Sequence, residues 1–399
     1  MVKIRFQGQG LCCSLGRTPE EVFRRMCDGQ DAFRPIWRFS AEPYQQKMAG
    51  MLSEQDDEYL RNAFPEDGLA GALVKQVGRQ ALGLPADAAV RQDPGMALVL
   101  ASNFGAWETQ EWLWREKQDL GAVSLASQEA WEDFLPGSAR ALGCAGGWQQ
   151  LSFSCASGTA ALAAGRDLIL NDRAERVLVI AFDILSEFCW CGLHNLRTIT
   201  SDTMRPFDRK RSGTIFSEGA AAVLLAREEE KPQYAGFAQY LAGAATNNNA
   251  FHLTAPRPEA EGSREVILEA LRQAGLSADK IEHICAHATS TVANDKTEAA
   301  ALHNVFGERL SGMTVAAHKS QLGHLLGAAG LTETIITLLA MRNGIIPPTL
   351  NLQELDPECA FVDCLPGEAR RCEFATAVVN SAGIGGNNAA VVLAQQLAQ

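Results

Sequence analysis

Leu151-Ser152-Phe153-Ser154-Cys155-Ala156-Ser157-Gly158 carries the chain out of an apolar stretch and into residues 159–170, which are rich in alanine and leucine and favour a helix. The stretch predicts a strand, a turn that holds Cys155, and a helix. Free N–H groups and the dipole at a helix N-terminus favour the thiolate, the reactive form of cysteine. The small residues after Cys155 let the helix pack closely and leave room beside the sulfur. The plainer alternative is a buried cysteine acting as a small hydrophobe, as most free cysteines do. Position alone does not decide between the two.

On either side of this unit, short apolar runs alternate with helical patterns. Residues 96–100, 176–181 and 220–225 read as buried strands, and residues 1–6 as a short one. A charged joint, Glu228-Glu229-Glu230-Lys231-Pro232, follows Arg227. The alternation then resumes, with strand-like runs at 234–242, 283–286, 314–316, 375–379 and 390–393. The expectation is an α/β chain of two similar halves, 1–228 and 229–399, packed as one unit, although no residue-level repeat proves a duplication.

With 399 residues, 47% of them hydrophobic, the chain can bury a large core. Eleven cysteines without repeated spacing suggest reduced thiols in the cytoplasm. Cys12-Cys13 and Cys189-Trp190-Cys191 lack a second half at ligand spacing, so no metal is expected. No signal sequence and no apolar run of the roughly 20 residues a spanning helix needs is found, so membrane insertion is not expected. A net charge of -12 argues against nucleic-acid binding and means that an acidic partner needs a local basic patch. Gln55-Asp56-Asp57-Glu58 reads as a solvated helix start without chemistry.

Two of the seven histidines directly follow strands, within loops of small polar residues. The first loop is Cys285-Ala286-His287-Ala288-Thr289-Ser290-Thr291, followed by Asn294-Asp295 and Glu298 as a helix begins. The second is His318-Lys319-Ser320-Gln321-Leu322-Gly323-His324, followed by Leu325-Leu326-Gly327-Ala328-Ala329-Gly330. A lone loop histidine is more often structural than catalytic. Two such loops with a strand-turn cysteine point instead to acyl transfer, with one nucleophile and two imidazoles able to hydrogen-bond a developing enolate oxygen. Asn380-Ser381-Ala382-Gly383-Ile384-Gly385-Gly386-Asn387-Asn388 is a glycine-rich turn without the ending of a phosphate-binding loop, and its N–H groups are suited to an acyl oxygen.

Together these segments resemble the β-ketoacyl synthases, the condensing enzymes of fatty-acid and polyketide synthesis. The landmarks are Ser154-Cys155-Ala156-Ser157-Gly158, Arg205-Pro206-Phe207-Asp208, Ser217-Glu218-Gly219-Ala220 and Phe251-His252-Leu253-Thr254, then both histidine loops and the glycine turn. The resemblance implies a thiolase-like fold, two αβαβα halves in a five-layered body that is usually dimeric. It implies that Cys155 takes an acyl group from a carrier-protein thioester. His287 and His324 would then assist decarboxylation of a malonyl thioester and stabilise the enolate. The N–H groups of Cys155 and Ile384 match the oxyanion hole, and Thr289 and Thr291 match the threonines that hold the pantetheine arm. Phe251, Gly385 and Gly386 match further substrate contacts. Lys319 and Glu333 match a buried pair that orders the histidines. No bound cofactor is implied, since the substrates travel on the phosphopantetheine of acyl carrier protein.

Against the family pattern, Ile384 replaces the usual gating phenylalanine, Ala382 its neighbour, Asn387 a threonine, Ala288 a glycine, and His318 a hydroxyl residue. Polar and bulky residues at 104–110, expected near the floor of the acyl channel, suggest a short, unsaturated or specialised substrate. Arg205, Arg209, Lys210 and Arg211 are the expected landing site for the acidic carrier, with Arg166 a weaker candidate. A degradative thiolase would carry a second cysteine in the glycine turn, and an initiating synthase would pair His with Asn. The rival reading from another class is a non-catalytic chain-length partner subunit, which would lack the cysteine kept here. Homodimer and heterodimer both remain open.

Overall fold

The computed structural model describes residues 3–85, 88–117, 133–228, 238–360, 363–364 and 366–395. Eleven strands line up in one continuous sheet: β1 (Ile4–Cys13), β2 (Met96–Ala101), β3 (Trp148–Leu151), β4 (Arg176–Asp183), β5 (Gly219–Arg227), β6 (Gln239–Asn248), β7 (His283–Cys285), β8 (Thr314–Ala316), β9 (Asp363–Cys364), β10 (Thr376–Gly383) and β11 (Asn387–Gln395). Their spatial order is β9-β8-β7-β10-β11-β6-β1-β5-β4-β2-β3. The two halves of that order repeat. In the first, β1-β5-β4-β2-β3 pair antiparallel, antiparallel, parallel and parallel. In the second, β6-β11-β10-β7-β8 pair in the same succession, and β9 adds a parallel edge. The halves touch through the antiparallel pair Arg5 and Tyr240.

Helices α1 (Pro19–Cys27), α2 (Glu54–Ala63), α3 (Leu69–Ala81), α4 (Trp107–Lys117), α5 (Ser157–Leu170), α6 (Glu187–Asn195), α7 (Glu261–Ala274), α8 (Val292–Phe306) and α9 (Ala329–Asn343) complete the body. Along β2, Ala97, Val99 and Ala101 face a core shared with α5, α9 and the second half, while Met96, Leu98 and Leu100 face α3. Burial on both faces explains why these strands read as unbroken apolar runs. On the far side, Ile284, Val315, Val378 and Val392 pack under α7 and α8. The layers are therefore helices, sheet, the α5–α9 pair, sheet, helices, and the duplicated α/β expectation matches this architecture. No helix among the described residues is long and apolar enough to cross a membrane.

Two strands outrun the sequence reading. β1 continues through Gly8 and Gly10, because a Cβ there would stand 1.8 Å from the Ala81 carbonyl oxygen and 2.0 Å from that of Val77. Glycine in this strand marks the close approach of α3, not a turn. β6 extends past residue 242 through Thr246, Asn247 and Asn248, which pair with Ala389, Asn388 and Asn387. The charged joint falls mostly outside the described residues.

The acidic run at 55–58 is not all solvated. Asp57 is buried, with its carboxylate 3.0 Å from Arg38 and 2.5 Å from Arg61. Arg38 in turn holds Glu218 at 2.7 and 2.9 Å, and Glu218 also accepts the N–H groups of Leu52 and Leu185. This network pins α2 to the start of β5.

Candidate active site

The nucleophile turn takes its shape from hydroxyl bonding. β3 ends at Leu151, the Ser157 Oγ accepts the Phe153 N–H at 2.7 Å and donates to the Ser154 carbonyl at 2.6 Å, and α5 starts at Ser157. Ser154 is forced to φ 50°, a left-handed conformation that costs a non-glycine residue energy and recurs at functional turns. Cys155 is thus buried two residues before the helix. The expectation that the helix start makes a ready thiolate needs correcting. Burial pushes the Cys155 thiol up to about 11, against the opposing pull of the Ile384 N–H, the Lys319 charge and its own N–H.

The glycine turn is the hairpin between β10 and β11. Gly383 has no room for a side chain, since a Cβ would stand 2.9 Å from Ser154 Cβ and 3.1 Å from Cys155 N. That approach brings the Ile384 N–H to the cysteine, where it and the Cys155 N–H both favour negative charge. Gly385 and Gly386 adopt φ 89° and 78°, and their bonds to the Leu253 and Gly383 carbonyls fix the turn.

His287 follows β7. Its N–H and that of Ala288 each donate to the Glu298 carboxylate at 2.7 Å, and Asn380 Nδ2 donates to Glu298 Oε1 at 2.7 Å. This clamp holds Ala288 at φ 42°. His287 Nδ1 lies 3.3 Å from Lys319 Nζ, and Lys319 is 2.6 Å from Glu333 Oε1 on α9, with both partners fully buried. His324 Nδ1 accepts the Leu326 N–H at 3.1 Å, and the two rings lie edge to face, 5.5 Å between centroids. A lysine ammonium and a peptide N–H are donors only, so Nδ1 accepts in both rings and each neutral ring keeps its proton on Nε2. Burial, then the Lys319 charge, hold both imidazoles well below their usual range. Both therefore stay neutral Nε2–H donors.

Cys155, His287, His324, Thr289, Thr291, Ile384, Gly385 and Gly386 line one cavity of about 210 Å³. Lys319 and Glu333 do not line the cavity and stand behind the His287 ring. Phe251 is not brought in: it is exposed, with the Arg257 guanidinium 5.6 Å from its ring centroid. Nor do residues 104–110 reach this cavity. Ala106, Thr109 and Gln110 line a separate one of about 550 Å³ beside α3, so they give no reading of the acyl group.

The expected basic patch divides. Arg211 is buried, 3.7 Å from Asp295 and paired with Asp356, and donates to the Asp208 and Val292 carbonyls, so it braces the start of α8 and offers nothing to a docking protein. Arg205 pairs with Asp202 and is largely covered, and Arg166 is bonded to Gln273. Arg209 is exposed but bonded to Glu354 at 2.8 Å, and Lys210 is exposed. Glu298, Asn380 and Arg257 were missed as site residues. A carboxylate eleven positions after His287, at the buried face of a helix start, was the signal available for Glu298.

Two family models cover most of the chain: the β-ketoacyl synthase N-terminal domain at residues 3–231 and the C-terminal domain at 238–353. A 3-oxoacyl-[acyl-carrier-protein] synthase 2 of Coxiella burnetii is 27% identical over 98% of each chain. The tetracenomycin polyketide synthase ketoacyl synthase alpha subunit of Streptomyces glaucescens is 31% identical over 92% of this chain and 91% of its own. Among solved structures, the ishigamide ketosynthase/chain length factor superposes with a TM-score of 0.88 at 28% identity, over 98% of this chain and 99% of that one. Matched by both family models over most of its length and 31% identical to the tetracenomycin subunit across nine-tenths of both chains, the chain belongs to the β-ketoacyl synthase family.

Proposed function

We propose that the chain is a condensing acyltransferase. Cys155 sulfur attacks the thioester of an acyl carrier protein, the carrier's thiol leaves with the cysteine proton, and the oxyanion is met by the N–H groups of Cys155 and Ile384. A malonyl thioester then takes the carrier's place, its arm alongside Thr289, Thr291, Gly385 and Gly386. Loss of CO2 leaves an enolate whose oxygen accepts from the two Nε2–H groups of His287 and His324. The enolate carbon attacks the acyl-cysteine carbonyl, the C–S bond breaks, and a 3-ketoacyl thioester departs. The observation that carries this reading is the convergence of one cysteine and two neutral imidazoles on one cavity. Neutral donors suit an enolate that exists only after decarboxylation, since preorganised donors stabilise charge where it develops.

In this reading the working halves are 1–228 and 229–399, which the repeated strand order supports, and no resident cofactor is used. All eleven cysteines are free, which favours work in the cytoplasm. Polyketide-type or other specialised chains are preferred over long saturated ones. Ile384 cannot swing as a ring does, and Phe216, 5.4 Å from His324, lines the cavity with Thr198 and Thr214. Arg209 and Lys210 remain the proposed carrier contacts. The ketosynthase/chain length factor relative makes a heterodimer with a second synthase-like chain the counterpart to a homodimer. The alternative of an inactive chain-length subunit is disfavoured by the intact cysteine and histidines.

Intact-mass measurement after incubation with acyl-carrier thioesters tests the reading. An acyl increment on the wild type that is absent from Cys155→Ala is expected. No increment with any donor favours the inactive-subunit reading.

A further inference from the structure

Arg257 is the one cationic side chain among the described residues that line the Cys155 cavity. It sits in the loop between β6 and α7, and three contacts hold it. It is ion-paired with Glu261, its Nη2 lies 3.4 Å from the Asn249 carbonyl, and its plane is 5.6 Å from the Phe251 ring centroid. Its Nε is buried with no hydrogen-bond partner, and about a third of the side chain is exposed. An unpaired, buried guanidinium donor costs free energy unless something accepts from it. A cation fixed by a carboxylate, a carbonyl and a ring is also a poor candidate for a loose surface group.

We propose that Arg257 is a specificity-determining residue that reads the phosphodiester of the phosphopantetheine arm while the thioester lies at Cys155. This rests on the acyl-transfer reading of the same cavity. The argument is one of complementary ends. A ligand that reaches the sulfur through this cavity passes apolar, hydroxyl, amide and glycine walls and one carboxylate, Glu298, already engaged by two backbone N–H groups and Asn380, and the only positive charge it meets among the described residues is Arg257. A guanidinium binds phosphate oxygens through charge-assisted hydrogen bonds. Glu261 offsets part of that charge before the ligand arrives, so its removal acts in the opposite direction to removal of Arg257.

The test compares two acyl donors that differ by the phosphate alone: acyl-4′-phosphopantetheine, which carries the phosphate without any carrier protein, and the matching acyl-pantetheine, which lacks it. Acylation of Cys155 is followed by intact mass for the wild type, Arg257→Gln and Glu261→Gln, with acyl-carrier protein as a third donor. The expected result is that the ratio of kcat/KM for acyl-4′-phosphopantetheine over acyl-pantetheine falls about tenfold in Arg257→Gln, as loss of a charge-assisted bond predicts. It rises in Glu261→Gln, and the change in Arg257→Gln lies in KM. An equal fall for both donors makes Arg257 a structural brace and overturns the proposal. A fall confined to acyl-carrier protein makes Arg257 a contact for the carrier's surface and also overturns it. Failure of the wild type to be acylated by any donor overturns the acyl-transfer reading itself and this inference with it, whereas acylation with an unchanged ratio sinks the inference alone.

Discussion

Cys155 gains its position from the turn but not an easily formed thiolate, because desolvation outweighs the two N–H groups and Lys319. With the thiol pushed up to about 11, the thiolate is scarce at neutral pH and grows as pH rises. Iodoacetamide labelling of Cys155 is therefore expected to speed up roughly tenfold per pH unit between about 7 and 10, and a plateau near neutrality contradicts the burial argument. The histidines behave in the opposite sense. Their charged forms are disfavoured, so on acidification they stay neutral below the usual imidazole range. Glu298 is raised by burial, so its ionised, doubly accepting form is lost at higher pH than an ordinary glutamate's. Glu298→Gln places an amide N–H against one of three donors, displaces His287, and should lower kcat by about 100-fold, the scale of a small misplacement. It should also remove an acid limb from the pH profile. Wild-type activity with the limb retained in the variant would falsify this role. The cysteine and histidines were legible because chemistry restricts their residue types. Glu298 showed only as a carboxylate at the helix start after the first histidine loop, because the backbone N–H groups it holds leave no further mark in a sequence.

At the scale of elements, the site depends on how closely α5 and α9 approach. A Cβ on Gly330 would stand 2.0 Å from Thr159 Oγ1 and 2.7 Å from Ser381 Oγ, displacing the 2.7 Å bond between those hydroxyls. One on Gly158 would stand 2.7 Å from Leu331 N. The small residues after Cys155 predicted this contact from the α5 side. The matching glycine on α9 was legible only as part of a loop motif, since its constraint comes from the other half of the chain. Gly330→Ala should cost about 1–3 kcal/mol, as overpacking of a filled core does. It should also slow Cys155 labelling, because α5 carries the nucleophile turn on its first residue and α9 carries Glu333. Denaturant unfolding read beside labelling rates checks both. A variant as stable and as reactive as the wild type would show that the helices can part without cost.

The molecule as a whole repeats one strand order twice, yet the sequence shows no repeat. Pairing direction and layer position require only apolar residues at buried faces, and many sequences satisfy that. The alternation of strands and helices was enough to read the class, but which strand neighbours which was set by long-range packing. The same topology ends, among the described residues, in two edge strands, the two-residue β9 and the longer β3. β3 pairs with β2 on one side only, and its residues, Trp148-Gln149-Gln150-Leu151, carry no lysine or proline of the kind that guards a free edge. Trp148 is 53% exposed. Trp107 stacks on Phe188 at 4.5 Å, with Trp112 and Trp114 half exposed on the same helix. The loops after β2 and β3 meet where the Ser102 N–H donates to the Leu151 carbonyl. An unguarded edge and exposed aromatic rings are the kind of surface that pairing buries, so β3 is the predicted seam. Gln149→Pro removes a strand N–H, and Trp148→Glu adds charge at the edge. Both are expected to convert the native assembly to single chains while leaving the fold intact by circular dichroism. Native mass measurement of the protein purified with and without its co-expressed neighbours separates self-pairing from pairing with a second synthase-like chain. If both variants retain the wild-type assembly, the partner sits elsewhere on the surface and β3 is a free edge.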